Sequence, residues 1–158
     1  MKGRHTVQRQ LLLALVLLCA GLLAACNRQD AQPQGSGSGT NLTIGVPGMR
    51  LLFDRDTLSV PANAQISLTF NNSNAGLQHN WVLVRGGDSV AAAVNDGGQT
   101  QPDFLPSDRS QIIAATRVLN SGESETISFT APGPGSYSFI CTVPGHFIGG
   151  MKGVLRVE

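Results

Sequence analysis

Cysteine and histidine are scarce in this 158-residue chain, with three of each. Cys19 lies within an apolar N-terminal run and Cys26 at its end, so the body holds Cys141 alone. No disulfide is available within that body. His5 is also N-terminal, which leaves His79 and His146. Two histidines are too few for a three-histidine zinc or copper centre built from this chain alone, and multicopper clusters are excluded for the same reason. Charge is sparse too, at 13% of residues. Setting aside the first 25 residues removes Lys2, Arg4 and Arg9 and leaves eight basic against ten acidic side chains. A net charge near −2 with no basic cluster argues against nucleic acid as a partner. The chain also lacks a G-x-S-x-G elbow, an H-E-x-x-H helix and a phosphate loop.

Long apolar runs are missing as well. The longest, Leu11 to Ala25, has 15 residues, short of the roughly 20 a membrane span needs. Behind a basic, polar start it has the length of a signal-peptide core. It closes as Leu23-Ala24-Ala25-Cys26, which resembles a bacterial lipobox. That motif implies lipidation of Cys26 as the new N-terminus; the alternative is an ordinary signal cleaved near Ala25, leaving an exposed thiol. Residues 1–25 are therefore read as a lipoprotein-type signal and 26–40 as a lipid-anchored flexible tether. The 14 residues from Asn27 to Thr40 carry no apolar side chain larger than Ala and end in a Gly/Ser repeat. Such a segment reaches at most about 45–50 Å.

The remaining body, 41–158, is one domain in size. Short alternating segments separated by Pro, Gly and Asn predict an all-β fold. Strands are expected at Asn41 to Val46, Arg50 to Phe53, Leu58 to Val60, Gln65 to Asn71, His79 to Val84, Glu123 to Thr130, Gly135 to Cys141 and Lys152 to Val157. Ile66, Leu68 and Phe70 share one face, as do His79, Trp81 and Leu83. Between Asp88 and Arg117 the pattern changes. Asp88 is expected to cap a short helix through Val90 to Val94, with Asn95-Asp96-Gly97-Gly98 as its stop and an irregular excursion after it. Seven or eight strands with one helical insert suit a two-sheet β-sandwich.

The chemistry concentrates in Cys141-Thr-Val-Pro-Gly-His146-Phe-Ile-Gly-Gly-Met151, a C-x4-H-x4-M segment between the last two strands. Pro144-Gly145 and Gly149-Gly150 permit tight bends before His146 and Met151. A fourth donor, His79, opens a strand 62 positions earlier. One thiolate, two imidazoles and a thioether suit copper, with the Met as weak axial ligand. Each residue alone has an ordinary reading: an inert buried cysteine, a loop or core histidine, a core methionine. Their joint occurrence favours the metal. Four protein donors leave no open position for substrate, which favours electron transfer over catalysis.

The segments Gln78-His79-Asn80-Trp81-Val82-Leu83-Val84 and Cys141-Thr142-Val143-Pro144-Gly145-His146 resemble the cupredoxins, in particular the azurin-type branch. The spacing to Met151, the Gly86 to Val94 insert and Gly150-Met151-Lys152-Gly153 are most similar to the auracyanins of filamentous anoxygenic phototrophic bacteria. The resemblance implies a Greek-key β-sandwich with one type 1 copper. It also implies His79, Cys141 and His146 as strong ligands and Met151 as the axial one. Azurin has a disulfide that cannot form here, and a His-to-Met spacing one residue shorter. It also places a glycine carbonyl opposite the Met, where this chain has Gln78. Asn80 is expected to hydrogen-bond to the ligand loop and so tune the sulfur. Pro144, Phe147 and Ile148 are expected to form an apolar docking surface around His146.

These readings define an extracytoplasmic, lipid-anchored, monomeric electron carrier that is not an enzyme. By resemblance, its partners would be a membrane quinol-oxidising complex and a photosynthetic reaction-centre cytochrome. The competing reading is a copper-delivery or storage lipoprotein. Such proteins expose labile Met- or His-rich sites, whereas the chain after residue 25 has only Met49 and Met151.

Overall fold

The computed structural model describes residues 39–158; the signal and nearly all of the tether lie outside them. Eight strands and one helix follow in the order β1 (Thr40–Gly45), β2 (Thr57–Val60), β3 (Gln65–Asn71), β4 (Val82–Val84), α1 (Asp88–Gly98), β5 (Ile112–Ala115), β6 (Ser124–Thr130), β7 (Gly135–Ile140) and β8 (Lys152–Val157). They form a three-stranded sheet, β1-β3-β6, and a five-stranded sheet, β2-β8-β7-β4-β5. The β1–β3 and β2–β8 pairs are parallel, and the remaining pairs are antiparallel. This is the two-sheet β-sandwich that the resemblance implies.

Alternation explains the small sheet. In β3, Ile66, Leu68 and Phe70 are buried while Ser67 and Thr69 face outward, where Thr69 and Thr126 share a 2.8 Å hydrogen bond across strands. The buried face meets Trp81, Leu83, Phe139, Leu155 and Val157 of the larger sheet. Trp81 lies 5.8 Å from Phe139 and 6.0 Å from Phe129, centroid to centroid, and Phe53 lies edge-on to Phe139 at 5.3 Å.

The middle of the larger sheet has no wet face. Val82, Val84 and Ile140 point away from the main core and pack under Ala91 and Val94 of α1 and Leu105 of the following loop. A strand covered on both sides has no reason to alternate in polarity, which is why Val82-Leu83-Val84 is apolar throughout.

Five expectations need correction. Arg50 to Phe53 is a loop, although Phe53 reaches the core. Only Val82–Val84 of the expected His79 to Val84 strand is regular; His79 forms a single bridge with Leu119. Gly87, not Asp88, caps α1, and the Asp88 carboxylate instead accepts from Ser138 Oγ at 2.9 Å and pairs with Lys152. The helix runs through Asn95-Asp96-Gly97-Gly98 instead of stopping there. At Gly98 a Cβ would lie 2.2 Å from the Phe104 carbonyl oxygen, so this glycine serves close approach of the returning loop. The excursion after α1 contains β5. Its Ile112-Ile113-Ala114-Ala115 neither alternates nor carries a turn signal, so periodicity gave it no mark.

Candidate metal centre

All the chemically distinctive side chains hang from the ends of the five-stranded sheet. His79 lies three residues before β4 and is held there by backbone bonds to Leu119 in both directions, N–H to O at 3.1 Å and 2.7 Å. Asn72 braces that bridge, its amide donating to the carbonyls of Leu77 and Leu119 at 2.9 Å each. Cys141 follows β7 directly, and β4 pairs with β7 through Val82–Ile140. The neighbouring strands thus bring together two residues separated by 62 positions.

The loop from Cys141 to Met151 is closed by its own backbone. Cys141 N–H donates to the Met151 carbonyl at 3.1 Å, and Met151 N–H donates to the His146 carbonyl at 3.0 Å. Gly145 and Gly150 take positive φ, +85° and +96°, the left-handed bends that a side chain resists. They turn the chain just before His146 and Met151, as the Pro-Gly and Gly-Gly pairs led us to expect.

Cys141 Sγ lies 3.3 Å from His146 Nδ1 and 3.8 Å from His79 Nδ1. The three donor atoms are all within 4.8 Å of one another. Two donors bound about 2.0–2.3 Å from one ion at trigonal angles would stand about 3.7 Å apart, so the spacing fits a shared metal. His79, Cys141 and Met151 are fully buried, and His146 is 8% exposed. Met151 closes the same loop through its backbone bonds and packs in the main core.

Burial sets the protonation. Desolvation first, and then the neighbouring His146, lower the His79 pKa to about 4, and desolvation also lowers that of His146. Both rings are therefore neutral at pH 7 and offer lone pairs. Burial pushes the Cys141 thiol up to about 11, against opposing hydrogen bonds from the backbone of Asn80 and Val143. A buried thiol of that kind becomes a thiolate only when a cation compensates it. Two neutral imidazoles, beside a sulfur to which the Asn80 and Val143 backbone hydrogen-bonds, make a donor set that suits copper.

Asn80 is buried and bonds twice to Thr142. Its Nδ2 donates to Thr142 Oγ1 and its Oδ1 accepts from Thr142 N–H, both at 2.8 Å. Gln78 is exposed, and its amide donates to Asn120 Oδ1 at 2.8 Å. Pro144 and Ile148 lie on the outside, with Ile148 85% exposed. Phe147 does not stand free beside them: it is half-buried against the outer apolar cluster of Val82, Val84, Ala91, Val94, Leu105 and Ile140, with Lys152 Nζ 6.0 Å from its ring centroid. Three contributors carried no sequence signal. Thr142 is the partner of Asn80. Thr116 Oγ1 accepts the Trp81 N–H at 2.9 Å. Leu51 comes from the β1–β2 loop, which also carries the 78% exposed Met49, to where a Cβ on Gly149 would meet its Cδ1 at 3.2 Å.

With this geometry, the chain belongs to the copper binding proteins of the plastocyanin/azurin family, whose model matches residues 40–158. Within that family it is similar to auracyanins. It is 40% identical to auracyanin-A of Chloroflexus aurantiacus over 147 residues, 88% of this chain and 91% of that one. It is 51% identical to auracyanin-B of the same organism over 111 residues, 68% of this chain. The match spans about half, 47%, of that longer relative. A solved structure of auracyanin A, described as a "blue" copper protein from a green thermophilic photosynthetic bacterium, superposes with a TM-score of 0.71 at 40% identity. It covers 76% of this chain and 99% of that one. Copper is accordingly the cofactor, and His79, Cys141 and His146 form the candidate group for holding it.

Proposed function

We propose that this protein is a membrane-tethered blue copper electron carrier working outside the cytoplasm. The observation that carries the reading is the closed donor cluster: one thiol and two neutral imidazoles, buried, with Met151 on the same loop. Copper held there supplies a one-electron couple between Cu(II) and Cu(I). Everything else falls to the protein. His79 and His146 turn Nδ1 toward the sulfur, and Cys141 supplies it. Met151, on the same loop, would offer its thioether as a fourth donor. Burial excludes water and small substrates, so the site exchanges electrons instead of ligands.

His146 is the donor nearest the outside, and the exposed Pro144 and Ile148 flank it in sequence. It is therefore the route by which electrons enter and leave, through brief contacts with redox proteins. The similarity to auracyanins supports a place between a quinol-oxidising complex and a photosynthetic reaction-centre cytochrome. Cys26, lipidated, would anchor the domain through the tether to the outer face of the cytoplasmic membrane. No helix among the described residues is long and apolar enough to cross a membrane.

The test uses cells producing the full chain with copper supplied. The membrane fraction is expected to carry an intense blue thiolate-to-copper band that dithionite bleaches. Cys26→Ala is expected to move the colour to the soluble fraction, and Cys141→Ser to abolish it. A colourless chain contradicts the carrier, and colour that stays with the membrane after Cys26→Ala contradicts the anchor.

A further inference from the structure

Helix α1 is attached at its start to the strands that flank the ligand loop and at its end to the loop itself. At its start, Asp88 pairs with Lys152, the residue after Met151, and accepts from Ser138 Oγ. At its end, Gln99 turns its side-chain amide inward and lies 3.2 Å from the carbonyl oxygen of Thr142, the residue after Cys141. The same Nε2 lies 2.9 Å from the Asn95 carbonyl and 3.2 Å from Asn95 Oδ1. Two of these neighbours are backbone carbonyls, which only accept, so the amide nitrogen belongs on that side.

The Thr142 carbonyl has particular neighbours. It forms one peptide group with the N–H of Val143, and the Val143 backbone hydrogen-bonds to Cys141. Thr142 N–H and Oγ1 are already engaged by Asn80. The carbonyl is left to Gln99. A hydrogen bond to a peptide oxygen withdraws charge through the amide and makes its N–H a stronger donor, strengthening the next bond by about 10–30%. Donors to a cysteine sulfur stabilise its anionic charge and thereby tune the potential of the metal it binds.

We infer that Gln99 is a positioning residue for the redox site: through the Thr142–Val143 peptide it strengthens the N–H donated to the Cys141 sulfur and so raises the reduction potential. Electron density on the sulfur is greatest when the copper is reduced, so a stronger donor favours Cu(I). This inference rests on the blue copper reading. The helical insert then serves the site from outside the sandwich, by a contact 43 residues away in sequence.

The test compares the wild-type chain with Gln99→Met, which keeps the length and loses the donor. Ser138→Ala is the control, since it removes another attachment of α1, the hydrogen bond to the Asp88 carboxylate, without changing the chain's charge or touching the Thr142–Val143 peptide. Each chain is loaded with Cu(II) alone. Gln99→Met is expected to raise the Cu(II):Cu(I) ratio at a fixed ambient potential about two- to threefold, and to shift the energy of the thiolate-to-copper band. Ser138→Ala is expected to lower the thermal midpoint and leave ratio and band in place. A Gln99→Met protein with the wild-type ratio and band overturns the inference while the carrier stands. So does a Ser138→Ala protein that moves both as far. A wild-type chain without the band overturns both readings.

Discussion

The two sheets of the sandwich are built to different specifications. The three-stranded sheet buries one face and wets the other, and its outer side is occupied by ordinary polar pairs such as Thr69–Thr126 and Gln65–Thr130. The five-stranded sheet is covered on both faces along β4, by the main core inside and by α1 outside. Every candidate donor is attached to the second sheet. The contrast teaches where a fold can hold a redox centre. Side chains packed from two directions have few rotamers left; Asn80 and Thr142 satisfy each other there, while Trp81 Nε1 and His79 Nε2 are buried without a protein partner.

Truncation in the doubly covered sheet should have the largest effect. Phe139 lies two residues before Cys141 and packs against Trp81 and Phe53. Phe139→Ala is expected to cost about 3–5 kcal/mol, read by denaturant unfolding, and to broaden the visible band of the copper form. A loss below about 1 kcal/mol with an unchanged band would mean that the packing behind the site does not support it.

Acid sharpens the comparison at an intermediate scale. The His79 pKa is about 4 in the folded chain against an ordinary 6.5, mainly through burial. Between those values the unfolded chain binds a proton that the folded chain refuses, so metal-free protein loses stability as pH falls from about 6.5 toward 4. The burial-lowered pKa of His146 acts in the same direction. The expected loss is on the order of 2 kcal/mol, followed as the thermal midpoint of the metal-free chain. A flat midpoint across that window would show that the histidines are not buried as neutral rings.

The smallest effect belongs to the wet face. Thr69→Ala removes an exposed cross-strand bond and is expected to cost less than about 1 kcal/mol. The band and the potential of the copper form should not move. A spectral change would mean that the small sheet is coupled to the site after all.

The same contrast decides what could be read from the sequence. β3 was legible because one side of it is wet, so Ile66, Leu68 and Phe70 alternate with polar residues. β5 was not, because Ile112-Ile113-Ala114-Ala115 carries no period. The donors Cys141, His146 and Met151 were legible because one short loop supplies them, and His79 because it is the only other histidine after residue 25. Apolarity in a loop does not say how far a ring is buried, and Phe147 proves half-buried against the outer apolar cluster. Asp88 looked like a cap because Asp favours that position, and its long-range partners Lys152 and Ser138 prevailed. Gln99 and Thr142 gave no sign, since a glutamine and a carbonyl 43 residues apart have no local pattern.

The central claim is that the fold presents one thiolate and two imidazoles to copper in an arrangement that both oxidation states share. X-ray absorption at the copper edge, on the loaded chain oxidised and then reduced with dithionite, tests it most directly. The account predicts one short copper–sulfur and two copper–nitrogen distances in each state, with the same ligands retained on reduction. A spectrum without the short sulfur contact, or one in which a histidine is lost on reduction, would contradict it.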